Sequence, residues 1–313
     1  MRSAALLALL LAAGPAAALP SSWSEKPYGV LLVGPDAGTD WQLFVSQVRK
    51  AEGRGVPVEA FAGPLESRDL QSALDRLAAD RVRKVCVLPV FLHAASPELD
   101  QLKYMVGVAK LPSKEFMDLW GMASRVVPRV KTKAALVLGS ALGDDPAVSA
   151  ALADRALEGR RLGRPETVLL LGTGAASDTE NAAWDVEAQT LAGRLAKTAG
   201  LAGARAWLLR PDSRAKPRQS EESRQGLLGL ARSLRRDRVV VLPYLLTQDG
   251  SSREWKRTLE NPFLRWVDKG LLPSARLARW AVARAAALAD QPDEVRFKDA
   301  GQALPQAGAF QFH

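Results

Sequence analysis

Two histidines, His93 and His313, and one cysteine, Cys86, are the whole stock of imidazole and thiol in this chain of 313 residues. A structural zinc site normally draws four ligands from Cys and His, and a disulfide needs two cysteines, so neither forms within one chain. A Ser-His-Asp or Cys-His hydrolase would have to use His93, because His313 is the last residue. His93 directly follows the apolar run Lys84-Val-Cys-Val-Leu-Pro-Val-Phe-Leu92, a place from which imidazole can ligate a metal or accept a proton. A lone histidine is more often a hydrogen-bonded structural residue, and that reading stands beside the first. Glu98 and Asp36, with Asp100, offer hard oxygen ligands or an acid-base carboxylate. Ser96-Pro97-Glu98 also reads as a helix start, with Ser96 as cap and Pro97 at the first helical position. Cys86, inside Val85-Cys86-Val87-Leu88, reads as a small buried hydrophobe of low reactivity.

A second set of residues suits anions. Gly172-Thr-Gly-Ala-Ala-Ser177 resembles a phosphate loop, in which glycine lets backbone N–H groups approach an anion, with Thr173 beside it. It lacks the third glycine of a dinucleotide fingerprint and the Gly-Lys-Ser/Thr of a P-loop, so a carboxylate fits better than a nucleotide. Lys103 and Arg257 occupy matching positions counted from Pro89 and Pro243, and either clamp carboxylates or form exposed helix faces. Lys and Arg total 43 against 34 Asp and Glu, a net charge of +9 that suits an anionic partner. Nucleic acid is disfavoured, because the basic residues are spread along helices and aromatic residues are sparse, at 6%. The densest basic loop is Arg210, Arg214, Lys216 and Arg218.

An internal repeat positions these groups. Tyr28-Gly-Val-Leu-Leu-Val-Gly34 returns as Thr167-Val-Leu-Leu-Leu-Gly172, and Lys84 to Leu92 returns as Arg238-Val-Val-Val-Leu-Pro-Tyr-Leu-Leu246. Apolar runs without alternation predict strands buried on both faces of a parallel sheet. Middle strands fall at Pro57 to Phe61 and Ala204 to Leu209, and a further one at Lys133 to Gly139. Helical periodicity covers Trp41 to Glu52, Leu70 to Ala79, Pro146 to Glu158, Val186 to Thr198 and Ser223 to Leu234. The predicted fold is α/β: two similar doubly wound parallel-sheet lobes, residues 26–160 and 165–290, with an interlobe cleft and a peripheral tail at 291–313. Residues 1–18 read as a secretory leader: Arg2, an apolar run too short to span a bilayer, and small residues at Ala16 to Ala18. The mature protein is expected to be secreted or periplasmic, without a stable membrane span.

At the loops after the strands the sequence resembles the class II tetrapyrrole chelatases of the sirohydrochlorin cobalt- or ferrochelatase type, in tandem and divergent form. Leu31-Leu-Val-Gly34 and Leu169-Leu-Leu-Gly172 match the family's first strand. Val87-Leu-Pro-Val-Phe-Leu92 and Val241-Leu-Pro-Tyr-Leu-Leu246 match its later strand. Gly139-Ser-Ala-Leu-Gly-Asp-Asp-Pro146 is similar to the start of its last helix, with Asp145 in a histidine's place and Arg155 where an arginine often follows. The resemblance implies binding of a divalent metal, cobalt or iron, and of a carboxylate-rich tetrapyrrole. The family's metal-binding histidines are replaced: Pro35 and Thr173 stand at one position, Pro97 and Ser251 at the other. Chemistry, if retained, would then fall to Glu98, His93 or Asp36, with His93 and Glu98 as metal ligands and Lys103, Arg257 and Thr173 as substrate-binding groups. The alternatives are a noncatalytic exported protein that binds another small anion and a pseudoenzyme that contacts a protein partner.

Overall fold

A computed structural model describes residues 28–298 apart from 36, 54, 112–127, 159–165, 211–215, 234–237, 249 and 259–263. The expected leader 1–18, Asp36, Arg214, the linker from Gly159 to Pro165 and the tail beyond residue 298 therefore lie outside the described residues, as do the side chains of Lys216, Arg218 and Ser251.

The first sequence half runs β1 (Tyr28–Gly34), α1 (Thr39–Glu52), β2 (Val58–Ala62), α2 (Ser67–Ala79), β3 (Lys84–Pro89), α3 (Pro97–Met105), β4 (Ala135–Leu138) and α4 (Pro146–Glu158). The second runs β5 (Glu166–Thr173), α5 (Asp178–Ala199), β6 (Gly203–Leu209), α6 (Lys216–Ser233), β7 (Arg238–Tyr244), α7 (Gly250–Thr258), β8 (Leu264–Trp266) and α8 (Ala275–Ala289). Both sheets are four-stranded and parallel, in the orders β2-β1-β3-β4 and β6-β5-β7-β8. The unalternated runs behave as expected: Val30 and Leu32 face one layer and Leu31 and Val33 the other, and all four are fully buried. The repeat is thus a repeat of structure, with β1 and β3 of the first sheet occupying the places of β5 and β7 in the second. Helix α5 begins at Asp178, before the expected Val186, because the Ser177 hydroxyl caps it, accepting from Glu180 N–H and donating to the Glu180 carboxylate. The sequence reading placed no element at β8 or α8.

The closing helices do not return to the sheets that precede them. Helix α4 packs beside α5 and against β7, while α8 packs beside α1 and against β3 and β4. One apolar layer accordingly joins Val30, Leu32, Cys86 and Leu88 of the first sheet to Val168, Leu170, Val240 and Leu242 of the second. The outer faces are covered separately, by α2 and α3 on the first sheet and by α6 and α7 on the second. Arg155 of α4 ties this exchange down by donating to the carbonyls of Gly270 at 3.0 Å and Pro273 at 2.6 Å, just before α8. Arg276 of α8 forms a two-point contact with Asp154 of α4. The chain after α8 then runs along the first lobe, where Arg296 donates to the carbonyls of Val106 and Val130.

Cys86 is fully buried in the shared layer, and burial, the leading cause, pushes its thiol up to about 12. At pH 8 the folded protein should be inert to a thiol-directed disulfide reagent and should release one equivalent of thiolate only on unfolding. Leu288 of α8 is buried against Gly139 and Leu88's neighbourhood, so Leu288→Ala should cost about 2–5 kcal/mol. In denaturant titrations it should lower the midpoint of one shared transition, because α8 completes the core of the first lobe; two separated transitions would contradict a joint core.

Candidate interlobe site

The carboxyl ends of β3 and β7 approach each other at the junction of the lobes, where His93 meets Tyr244, and ligand crevices of doubly wound sheets lie outside such strand ends. His93, on the loop after β3, is 6% exposed and makes its contacts across that junction. Its Nδ1 lies 2.9 Å from Glu187 Oε1, and the neighbouring Ala94 N–H donates to Glu187 Oε2 at 3.1 Å. The imidazole stacks on Trp184 with ring centroids 4.1 Å apart and planes 5° from parallel, and Trp184 Nε1 donates to the carbonyl of Ala95. Tyr244, the last residue of β7, meets the imidazole edge-on at 5.5 Å. Trp184 and Glu187 are three residues apart on α5 and so share one helical face. That face grips three consecutive residues of the opposite lobe.

Tyr244 is completely buried, and among the described residues its hydroxyl has no hydrogen-bond partner. Burial first, then the carboxylates of Glu187 and Asp144, hold the phenol well above its ordinary range, so the ring stays neutral. Asp144 is itself held by Arg194 of α5 through its side chain and its carbonyl. Asp145, at the position where the resemblance puts a histidine, caps α4 by accepting from Ala147 N–H at 2.8 Å. Its other oxygen accepts from Trp280 Nε1 at 3.0 Å, a further tie between α4 and α8.

The other expected site residues are dispersed. Ser96 is the N-cap of α3, accepting from Leu99 N–H, with Pro97 in the first turn. Glu98 follows, partly buried, in that first turn, where a carboxylate complements the helix dipole. The polar contacts of His93 go to Glu187 rather than to Glu98. Lys103 ends α3 in an ion pair with Asp100 at 2.8 Å, and Arg257 is exposed near the end of α7. Both therefore occupy helix ends, in the matching places their spacing implied. Thr173 ends β5, hydrogen-bonded in the sheet opposite Leu209.

The glycine-rich loop is filled from within, which corrects its reading as an open anion cradle. Gly174 N–H donates to Leu209 O, and Ala175 N–H donates to Asn181 Oδ1. Arg210 then donates to the carbonyls of Ala175 and Ala176 and pairs with Asp178 at 2.7 Å. A Cβ on Gly174 would sit 2.2 Å from Asn181 Oδ1, so glycine serves the close packing of this plug. Two described cavities, about 580 Å³ beside β2 and about 410 Å³ beside β6, lie at matching outer edges of the sheets, away from His93.

Comparison with known proteins agrees with this architecture. Residues 34–159 match the CbiX family model. SirB from Bacillus subtilis with Fe3+ superposes with a TM-score of 0.58 at 14% identity, over 84% of this chain and 96% of that one. SirB from Bacillus subtilis subspecies spizizenii, a sirohydrochlorin chelatase in complex with cobalt, gives 0.55 at 14% identity, over 85% and 96%. DR2241 from Deinococcus radiodurans, a multi-domain protein with structural similarity to chelatases, gives 0.50 at 19% identity, over 87% of this chain and 57% of that one. No curated protein matches the chain by sequence. The fold is that of a two-lobed class II chelatase. Residues 34–159, in the first lobe, are similar to the CbiX family, and the likeness of the chain as a whole is one of fold.

Nothing in the sequence pattern marks Glu187, Trp184 or Tyr244 as functional residues. Removing the unbonded hydroxyl with Tyr244→Phe should leave the fold intact and raise stability by about 1 kcal/mol in chemical denaturation. A loss of more than that amount would show that the hydroxyl is bonded in solution.

Proposed function

We propose that this protein uses the chelatase scaffold to bind an anionic tetrapyrrole of the sirohydrochlorin kind together with a divalent metal, cobalt or iron, and that metal insertion is slow or lost. The observation that carries this reading is the placement of His93 at the lobe junction with Nδ1 engaged by Glu187, which leaves Nε2 as its one remaining ligand atom. Among the described residues no three His, Cys, Asp or Glu gather to hold a bare metal ion. A tetrapyrrole supplies four nitrogens to its metal, and a single axial imidazole then suffices. The metal is cargo in this reading and not a resident cofactor. Insertion also requires the loss of two pyrrole protons. The family's imidazole positions carry Pro35, Thr173, Pro97 and Ser251, so only His93 and the carboxylates of Glu98 and Asp36 remain to take them.

The net charge of +9 supports attraction of a ligand rich in carboxylates. Because His93 is buried under Trp184, a macrocycle reaches Nε2 by displacing the side chains around the ring while the Glu187 contact to Nδ1 holds. The reading extends to an exported mature chain, and amino-terminal sequencing of the protein from its own compartment should begin near Leu19.

Spectrophotometric titration tests the binding itself. Sirohydrochlorin loaded with cobalt should give a saturable spectral change at micromolar protein, and His93→Ala should weaken it at least about tenfold. Metal-free sirohydrochlorin with added cobalt should be metallated no faster with the protein than without it. No spectral change with either form would reject this function.

A further inference from the structure

His93, on the loop after β3, and Glu187, on α5, belong to different lobes and are 94 residues apart in sequence, so only the packing of the two lobes brings them together. The paired contacts on Glu187 determine which nitrogen of the imidazole carries hydrogen. The Ala94 N–H can only donate, and a carboxylate offers only acceptors, so both Glu187 oxygens accept. Nδ1 therefore bears a hydrogen, and in the neutral imidazole Nε2 carries the lone pair. A half-turn of the ring would set a carbon against Glu187 and lose the 2.9 Å contact. Trp184, parallel to the ring within 5°, and Tyr244, at 84° to it, hold the ring plane from two sides. Beside them, among the described residues, lie Asp144, engaged by Arg194, and the neutral Tyr244 phenol.

We propose that Glu187 is the positioning residue of the site: it holds His93 as the Nδ1–H tautomer and so presents Nε2 as the lone-pair nitrogen for the axial position of a tetrapyrrole-held metal. Glu187 touches no ligand and acts through the imidazole, as carboxylates behind metal-bound histidines do. Each lobe thereby supplies half of the device, the ligand from the first and its orienting carboxylate from the second. The assignment of the ligand rests on the binding function proposed above; the assignment of the tautomer does not.

The small histidine count makes the test direct. In the ¹⁵N-labelled full chain, two-bond ¹H–¹⁵N correlations report the tautomer of each histidine, and His313→Gln leaves His93 as the only signal set. Wild type should show Nδ1–H. Glu187→Ala should move the ring toward Nε2–H, the form that free histidine side chains favour in water. Glu187→Gln, which keeps the size of the side chain, should give a mixture while the fold is retained. A wild-type Nε2–H tautomer, or one unchanged in both variants, would overturn the positioning role. Cobalt-loaded sirohydrochlorin should then broaden the His93 ring signals, and Glu187→Gln should weaken its binding about 10- to 100-fold. The expected tautomer with no response to that probe would leave the positioning role standing and overturn the binding function alone.

Discussion

The exchange of closing helices between the two sheets is the constraint on which the other features depend. Helix α1 covers only part of the inner face of the first sheet; Ala281, Ala285 and Leu288 of α8 complete it, and Leu152 and Ala156 of α4 do the same beside α5 on the second sheet. Neither half of the sequence contains a finished core of its own. Burial of these faces contributes on the order of 25 cal/mol per Å² of apolar surface, and here that term is shared between the lobes. The polar ties follow the same crossing, with Arg155 on the turn before α8 and Arg276 on Asp154.

With the lobes joined in this way, the loops after β3 and the first turns of α5 are held face to face. The junction is lined by side chains that satisfy one another: Glu187 with the imidazole and amide of the 93–94 segment, Trp184 with the ring face and the Ala95 carbonyl, Asp144 with Arg194. A chain almost without imidazole thus places its one internal histidine where two lobes contribute to its orientation. The same economy explains the glycine-rich loop. Its shape resembles an anion cradle, but Arg210 and Asn181 occupy it, so its backbone groups stabilise the start of α5 and leave no N–H of Gly174 or Ala175 for a ligand.

Much of the scaffold was legible in the sequence because its signals are local. Runs such as Val30 to Val33 and Val168 to Leu171 are apolar at every position, which suits only a strand covered on both faces, and their recurrence announces two equivalent sheets. Ser96-Pro97 marked the start of α3 for the same reason, since a cap acts within one turn. The helical face shared by Trp184 and Glu187 was not legible as a site, because a half-buried helix of mixed polarity looks alike whether it meets water or a second lobe.

The sequence by itself determined the parallel sheets, their duplication, the inert Cys86 and the shortage of imidazole, all of which follow from residue type and short-range periodicity. Tertiary structure alone decided which sheet each closing helix covers and what His93 faces. Helices α4 and α8 carry apolar faces that would fit either sheet, and nothing local distinguishes the two; the choice is made by long-range packing. That choice brings Glu187 to His93 across 94 residues and fixes which imidazole nitrogen remains for chemistry.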